Sequence, residues 1–178
     1  MQFRGQYDFL SNMYPSEIDY HGVKYSCVEA AFQAQKDLSR CQEFSGISGK
    51  EAKSLGRRVS LRADWNEARI PIMKEILQVK FQDAGLKQKL LSVSEPIVED
   101  NTWGDKFWGK CNGIGENHLG QLLMELQKEF QREFQTENIG KNLPRKSRQQ
   151  DSREGCDFIE VPVGDFSSDR YYPDLQDE

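Results

Sequence analysis

The chain contains only two histidines, His21 and His118, and four cysteines, Cys27, Cys41, Cys111 and Cys156. No two cysteines form a Cys-x-x-Cys pair, and with so few histidines the set is too sparse for a structural zinc site. A disulfide framework is not expected of a cytosolic chain, so all four cysteines read as free thiols, and neither a metal nor another cofactor is expected. Two histidines and no Gly-x-Ser-x-Gly elbow give no support to a serine-hydrolase triad. No run of eighteen apolar residues exists, so no membrane-spanning helix is expected. The opening Met1-Gln-Phe-Arg-Gly5 lacks the apolar stretch of a secretory signal, which makes the cytoplasm the expected compartment. Basic residues are in deficit, 24 against 29 acidic ones for a net charge of −5. That balance argues against a protein that coats nucleic acid through a broad electrostatic footprint, while leaving room for a small basic pocket.

What is present suits one domain of ordinary size: 178 residues, 37% hydrophobic and 30% charged. Periodic apolar residues run to about Phe134, after which few aliphatic side chains remain to bury. Residues 1–138 therefore read as the domain and 139–178 as a flexible or loosely attached polar tail, within which Cys156-Asp-Phe-Ile-Glu-Val-Pro-Val is compatible with a short strand. Ile18, Tyr20, Val23 and Tyr25 alternate around His21-Gly22, the pattern of a β-hairpin. Three capping boxes are expected: Ser26 with Glu29, Ser48 with Glu51 opening a helix to about Val59, and Asp64 with Glu67. Pro71 is expected either to kink the third helix or to begin it. The last helix places Leu119, Leu122, Leu123, Leu126 and Phe130 on one face behind Asn117 as its cap.

Two stretches carry candidate chemistry. On a helix from Val28 to Leu38, Glu29, Gln33 and Lys36 fall within an arc of about 60°. Val28, Ala30, Ala31, Phe32, Ala34 and Leu38 fill most of the remaining circumference. A helix apolar nearly all round is buried, so its narrow polar stripe faces either a polar cavity or, through a slot, solvent; a capping glutamate followed by an ordinary solvated stripe is the competing reading. The second stretch, Glu99 to Asn117, packs two tryptophans and four glycines into nineteen residues. Glycines permit close approach of backbone to a ligand and tryptophans offer flat surfaces. Gly113 and Gly115 precede the last helix, whose first amides are the kind of group that binds phosphate. A structured loop with its tryptophans packed on the core remains the alternative.

Phe9-Leu-Ser-Asn-Met-Tyr-Pro-Ser16 and Gly22-Val-Lys-Tyr-Ser-Cys-Val-Glu-Ala-Ala-Phe-Gln-Ala-Gln-Lys36 resemble the opening motifs of the NADAR, or YbiA-like, family. Arg62-Ala-Asp-Trp65, Met73, Lys80-Phe81, Asp105-Lys-Phe-Trp-Gly109, Gly115-Glu-Asn-His-Leu-Gly120 and Leu123-Met124 follow in the family's order, so the resemblance covers about residues 3–130. It implies an α+β, mainly helical, YbiA-like single domain with a small N-terminal antiparallel β-hairpin. It also implies N-glycosidase activity, on ribosylaminopyrimidine intermediates of riboflavin biosynthesis or on ADP-ribose attached to guanine, with no metal. One departure is visible: the loop before Trp108 carries an additional Asn101-Thr-Trp-Gly104, which bears on pocket shape.

Breaking a ribosyl C–N bond develops positive charge on the sugar, so a carboxylate beside C1′ can stabilise it or activate water. Glu29 is the first candidate and Asp105 its partner. Lys36 is placed to contact phosphate or sugar, or, if desolvated, to attack C1′ and form an imine. Trp108 is expected to stack on the base, Asn12 and Tyr14 to line the entrance, Gln33 to contact substrate, and Asn117 with the amides near Gly115 to contact phosphate. The expected partner is a small ribosyl or nucleotide substrate. Two rivals remain: an enzyme acting on ADP-ribosylated nucleic acid, with Lys50, Lys53, Arg57 and Arg58 lining a groove, and a non-catalytic module that binds ADP-ribose or another nucleotide.

Overall fold

The computed structural model describes residues 2–141, with side chains through Thr136. The polar segment from 142 onward, including the strand expected at Cys156, lies outside the described residues. Helices dominate, with one small antiparallel hairpin, so the architecture is α+β as expected. The order is a 3₁₀ turn over Gly5–Leu10, strands β1 (Ile18–Tyr20) and β2 (Val23–Tyr25), helix α1 (Val28–Ala34), a second 3₁₀ stretch over Leu38–Phe44, helices α2 (Gly49–Leu55), α3 (Trp65–Lys80) and α4 (Ala84–Leu91), strands β3 (Asp100–Asn101) and β4 (Lys110–Cys111), and helix α5 (His118–Lys141).

The hairpin forms where the alternation placed it, pairing Tyr20 with Val23 across a two-residue turn with positive φ at both His21 and Gly22, the geometry that matches the twist of paired strands. Its inward residues Ile18, Tyr20 and Tyr25 are buried. α1 lies at the centre of the fold, packed by α2, α3, the hairpin and the Leu38–Phe44 stretch. All seven of its residues are buried, Glu29 and Gln33 included. Ala30, Ala31 and Ala34 present little volume, which lets neighbouring backbones approach from several sides at once. On α5, the apolar face expected from the sequence is buried, from Leu119 through Phe130.

Only one of the three expected capping boxes forms in full. Ser48 and Glu51 exchange bonds, with the Ser48 amide 2.8 Å from Glu51 Oε2 and the Glu51 amide 3.3 Å from Ser48 Oγ, although α2 stops at Leu55 instead of reaching Val59. Ser26 does not cap α1: its hydroxyl donates to the Ile47 carbonyl, and Cys27 takes the capping position without a side-chain bond. The Glu29 amide is instead satisfied from outside the helix, by the Asn12 carbonyl at 2.9 Å. Asp64 precedes α3, but its carboxylate is held by the Arg62 guanidinium at 2.6 and 2.8 Å. Pro71 neither begins nor breaks α3, which runs through it. Pro71 and Glu67, whose carbonyl loses its partner to the proline, are both exposed, so solvent can replace the missing bond. α1 also ends at Ala34, short of Leu38, and Lys36 lies just past the helix.

Two buried polar side chains lock the loops that surround α1. Lys80 is 2% exposed and donates to the Ser11 carbonyl at 2.8 Å, tying the end of α3 to the segment that supplies Asn12. Asn117, buried at positive φ, accepts from the Glu99 amide at 2.9 Å and donates to the Ile97 carbonyl at 3.1 Å. It therefore staples the 97–99 segment to the start of α5, where its own carbonyl accepts from the Gln121 amide. Gly120 allows this close approach, since a Cβ there would overlap the Ile97 carbonyl and the Asn117 carboxamide.

Burial lowers the Lys80 ammonium from 10.5 to about 7. The unfolded chain keeps this proton to about pH 10.5 while the folded chain releases it near pH 7, so across that window the unfolded state binds more protons and stability rises with pH. The melting temperature of the wild type is expected to gain on that of Lys80→Met as pH increases from about 7 to about 10; parallel curves would contradict it. Asn117→Ala, which leaves a buried amide and carbonyl without partners, is expected to cost about 1–3 kcal/mol in denaturant unfolding. An unchanged midpoint would mean that the staple carries no load.

Candidate active site

A cavity of about 300 Å³ opens beside α1. Glu29, Phe32 and Gln33 enter it from the helix and Lys36 from just beyond its end; Lys53 comes from α2, and Trp65, Arg69 and Met73 from α3. Residues 2–4 and 11–13 close one side, and Glu99 through Trp103, with Asp105 and Trp108, close another. The buried polar stripe of α1 thus faces a cavity, the first of the two alternatives its sequence left open.

Polar groups in this cavity are short of partners. Five buried side-chain atoms lack a hydrogen-bond partner among the described residues, and four of them, Asn12 Oδ1, Gln33 Oε1, Arg69 Nε and Glu99 Oε2, belong to residues that line it. Buried polar atoms are almost always paired in a folded protein, so this clustering sets the wall of the cavity apart from the rest of the core. The opposing character is aromatic. Phe32 contacts Trp65 at 5.0 Å between centroids and meets Trp108 edge-on at 5.4 Å, while the Arg69 guanidinium lies 3.7 Å over the Phe107 ring. Trp103, from the loop before Trp108, lines the cavity and is 58% exposed.

Glu29 is 8% exposed. Gln33 Nε2 donates to its Oε1 at 2.9 Å, and Gly56 presses against the other end of that amide, where a Cβ would overlap Gln33 Oε1. Burial raises the Glu29 carboxyl above its ordinary range, opposed by the Gln33 bond and by the positive charges of Lys53 and Lys36, and assisted by Asp105. Lys36, whose Nζ is 3.4 Å from the Gly56 carbonyl, moves the other way. Desolvation lowers its pKa, Glu29 opposes this, and Lys53 and Arg57 reinforce it. The site therefore holds an acid and an amine, each displaced toward neutrality by burial.

Of the residues singled out from the sequence, Glu29, Gln33, Lys36, Asp105, Asn12 and Trp108 meet in this one cavity. Asp105 has a structural task as well, since its Oδ1 accepts from the Phe107 and Trp108 amides at 3.0 and 2.9 Å. Tyr14, expected at the entrance, lies instead beside Pro15, Lys80 and Lys89 in a separate surface depression. Gly115 and Asn117 do not reach the cavity lining either, and the amides expected to meet phosphate are already occupied. Those of Glu116, Asn117, His118 and Leu119 donate to the carbonyls of Lys106, Gly109, Phe107 and Trp108. Gly115 is pressed against the Gly109 carbonyl, so its missing side chain serves packing. Glu99, Arg69 and Arg4 also line the site and were not among the candidates. A glutamate opening the Trp- and Gly-rich stretch was the one visible signal for Glu99; the two arginines stand in unremarkable contexts in the chain. No cluster of His, Cys, Asp or Glu able to hold a metal ion occurs among the described residues.

The family model for the NADAR domain matches residues 2–131. An N-glycosidase of Nostoc punctiforme is 31% identical over 132 residues, covering 68% of this chain and 85% of that protein. The N-glycosidase YbiA of Escherichia coli K12 is 34% identical over 129 residues, covering 68% and 81%. A riboflavin biosynthesis protein of Vibrio vulnificus is 33% identical over 127 residues, and the match spans 67% of this chain but 35% of that longer protein. The solution structure of E. coli YbiA superposes with a TM-score of 0.67 at 32% identity, covering 76% of this chain and 86% of that one. Matched by the family model over residues 2–131 and by relatives above 30% identity that it covers over most of their length, the chain belongs to the NADAR domain family.

Proposed function

We propose that this chain hydrolyses the C–N glycosidic bond of a ribosylated, phosphorylated compound carrying a single-ring base, of the ribosylaminopyrimidine kind. It is a hydrolase of N-glycosyl bonds, as the relatives named N-glycosidases are. The observation that carries the finer reading is the desolvated Glu29 carboxylate, braced by Gln33 in a cavity that also presents aromatic faces, cations and further carboxylates. As the C1′–N bond stretches, positive charge spreads over the sugar, and a fixed carboxylate stabilises that charge or takes a proton from the attacking water. Trp65 and Trp108 offer flat contacts to a base. Arg4, Lys53 and Arg69 supply the positive charge that a phosphate requires. The cavity, at about 300 Å³, sits at the small end of ligand sites, which run to about 1,000 Å³. That size suits one sugar phosphate and one ring better than an ADP-ribosylated nucleotide within a polymer.

Glu29→Gln keeps the shape of the side chain and removes its charge. In an assay that follows release of aminopyrimidine from 5-amino-6-ribosylaminouracil phosphate by mass spectrometry, this variant is expected to lose about 10²–10³-fold in kcat with its melting point little changed. Turnover at the wild-type rate would remove Glu29 from the chemistry.

A covalent route is favoured by Lys36, which lines the cavity with a lowered pKa. A neutral amine can attack C1′ and give an imine as the C1′–N bond to the base and the C1′–O4′ bond break, its two protons passing to the departing base nitrogen and to the ring oxygen. Borohydride added during turnover is then expected to leave a reduced sugar adduct on Lys36, visible in the intact mass. Absence of the adduct, together with sustained turnover by Lys36→Ala, leaves water as the attacking group and Lys36 as a contact to the sugar or phosphate.

A further inference from the structure

Glu99 has no part in the scheme above, yet the fold positions it with care. Its amide is held by Asn117 Oδ1 at 2.9 Å and its carbonyl accepts from the Lys110 amide at 2.7 Å. Gly109 packs so closely on it that a Cβ there would overlap the Glu99 carbonyl. A main chain fixed on both sides leaves the side chain few choices, and it lines the same cavity as Glu29, with Oε2 buried and unpartnered among the described residues. The two carboxyl groups reach the cavity from different elements, one from α1 and one from the segment leading into β3. Most glycoside hydrolases use two carboxyl groups in two protonation states, one charged beside the sugar and one still carrying a proton for the leaving group.

Resting on the N-glycosidase reading, we propose that Glu99 is the acid of this site: it gives its carboxyl proton to the departing nitrogen and selects N-glycosides whose aglycone leaves as an amine or amide nitrogen. The C1′–N bond breaks with its electron pair going to nitrogen, and nitrogen takes the proton from the Glu99 carboxyl. Water forms the new C1′–O bond and loses a proton to the Glu29 carboxylate. Glu99 ends as carboxylate and Glu29 as acid, and exchange of one proton with solvent restores both. A pyridinium nucleoside, whose base departs neutral, makes no use of such a proton and falls outside the preferred class.

The electrostatics agree with the geometry. The other charged groups lining the cavity are Glu29 from α1, Lys36 just past it, Lys53 from α2, Arg69 from α3, Arg4 from the N-terminal segment, and Asp100 and Asp105 on the loop of Glu99 itself. Burial first, then Asp105, and Glu29 to a lesser degree, raise the Glu99 carboxyl to about 7, with Lys53 opposing. Near neutral pH a substantial fraction of Glu99 is protonated, the condition an acid catalyst needs.

The test uses the full chain and two N-aryl ribosylamine 5-phosphates, one with an aniline aglycone that must be protonated to leave and one with a dinitroaniline aglycone that leaves without help. Glu99→Gln is expected to slow the aniline substrate by about 10²–10⁴-fold while staying within about tenfold of wild type on the dinitroaniline substrate, the sparing that a purely structural role does not produce. As a measurement independent of any variant, wild-type kcat/KM is expected to fall above about pH 7 for the first substrate and to lack that limb for the second. Equal losses on both substrates, or one alkaline limb common to both, would overturn the role of Glu99 and leave the N-glycosidase standing. Failure of the wild type to hydrolyse either substrate would overturn the N-glycosidase reading and the acid with it.

Discussion

Burial of a carboxylate on a seven-residue helix sets the terms for everything around it. A helix this short has no stability of its own in water, so α1 exists because the hairpin, α2 and α3 close over it. Those same neighbours remove Glu29 from solvent and oblige the fold to supply what water no longer does. Gln33 donates to the carboxylate from one turn away, the Asn12 carbonyl takes the Glu29 amide, and Lys36 and Lys53 offset its charge. Lys80 enters as a consequence, since its bond to the Ser11 carbonyl holds the segment on which Asn12 rides. A residue that looks like an isolated buried cation is thus two links away from the site.

Charge is arranged in the cavity so that neither sign dominates. Glu29, Glu99, Asp100 and Asp105 stand against Lys36, Lys53, Arg69 and Arg4. Burial drives the two glutamates and Lys36 toward their neutral forms. In a medium of low polarisability each of these groups feels the others strongly, and a substrate that brings its own phosphate changes the balance for all of them. Tuning by burial is the economical route for a protein with two histidines in its whole length, because it raises carboxyl groups, Glu99 to about 7, and lowers the Lys36 amine, and so does work that histidine would otherwise do.

What could be read from the chain in advance follows the range of the interactions involved. The hairpin at His21-Gly22 and the Ser48–Glu51 box depend on residues within a few positions of one another, and both form. The polar stripe of α1 was legible because helical periodicity alone puts Glu29 and Gln33 side by side. The Ser26 box was lost to a distant partner: Ser26 bonds Ile47, twenty-one residues away, and Glu29 turns inward. Asp64 was lost to an arginine two residues before it, a stronger charge-assisted partner than a helix amide. At Gly115 and Asn117 the local pattern of a phosphate-binding helix start is real, but residues 106–109 use up its amides. No local rule foresees that pairing. Glu99 escaped notice for the same reason, because nothing within its own neighbourhood shows that Asn117 and Gly109 fix it in place.

The clamp between Asn101 and Asp105 separates two parts of this protein that are close in sequence. The Asn101 carboxamide donates to the Asp105 carbonyl at 2.7 Å and accepts from its amide at 3.2 Å, closing residues 102–104 into a loop of their own. Glu99 stands before that closure, with its main chain tied elsewhere. Trp103 and Gly104 lie inside that closure, whereas the Glu99 main chain is held outside it by Asn117 and Lys110. For the active site proposed above, residues 102–104 form a separately closed rim, and laboratory evolution of a new substrate preference has its natural starting library there.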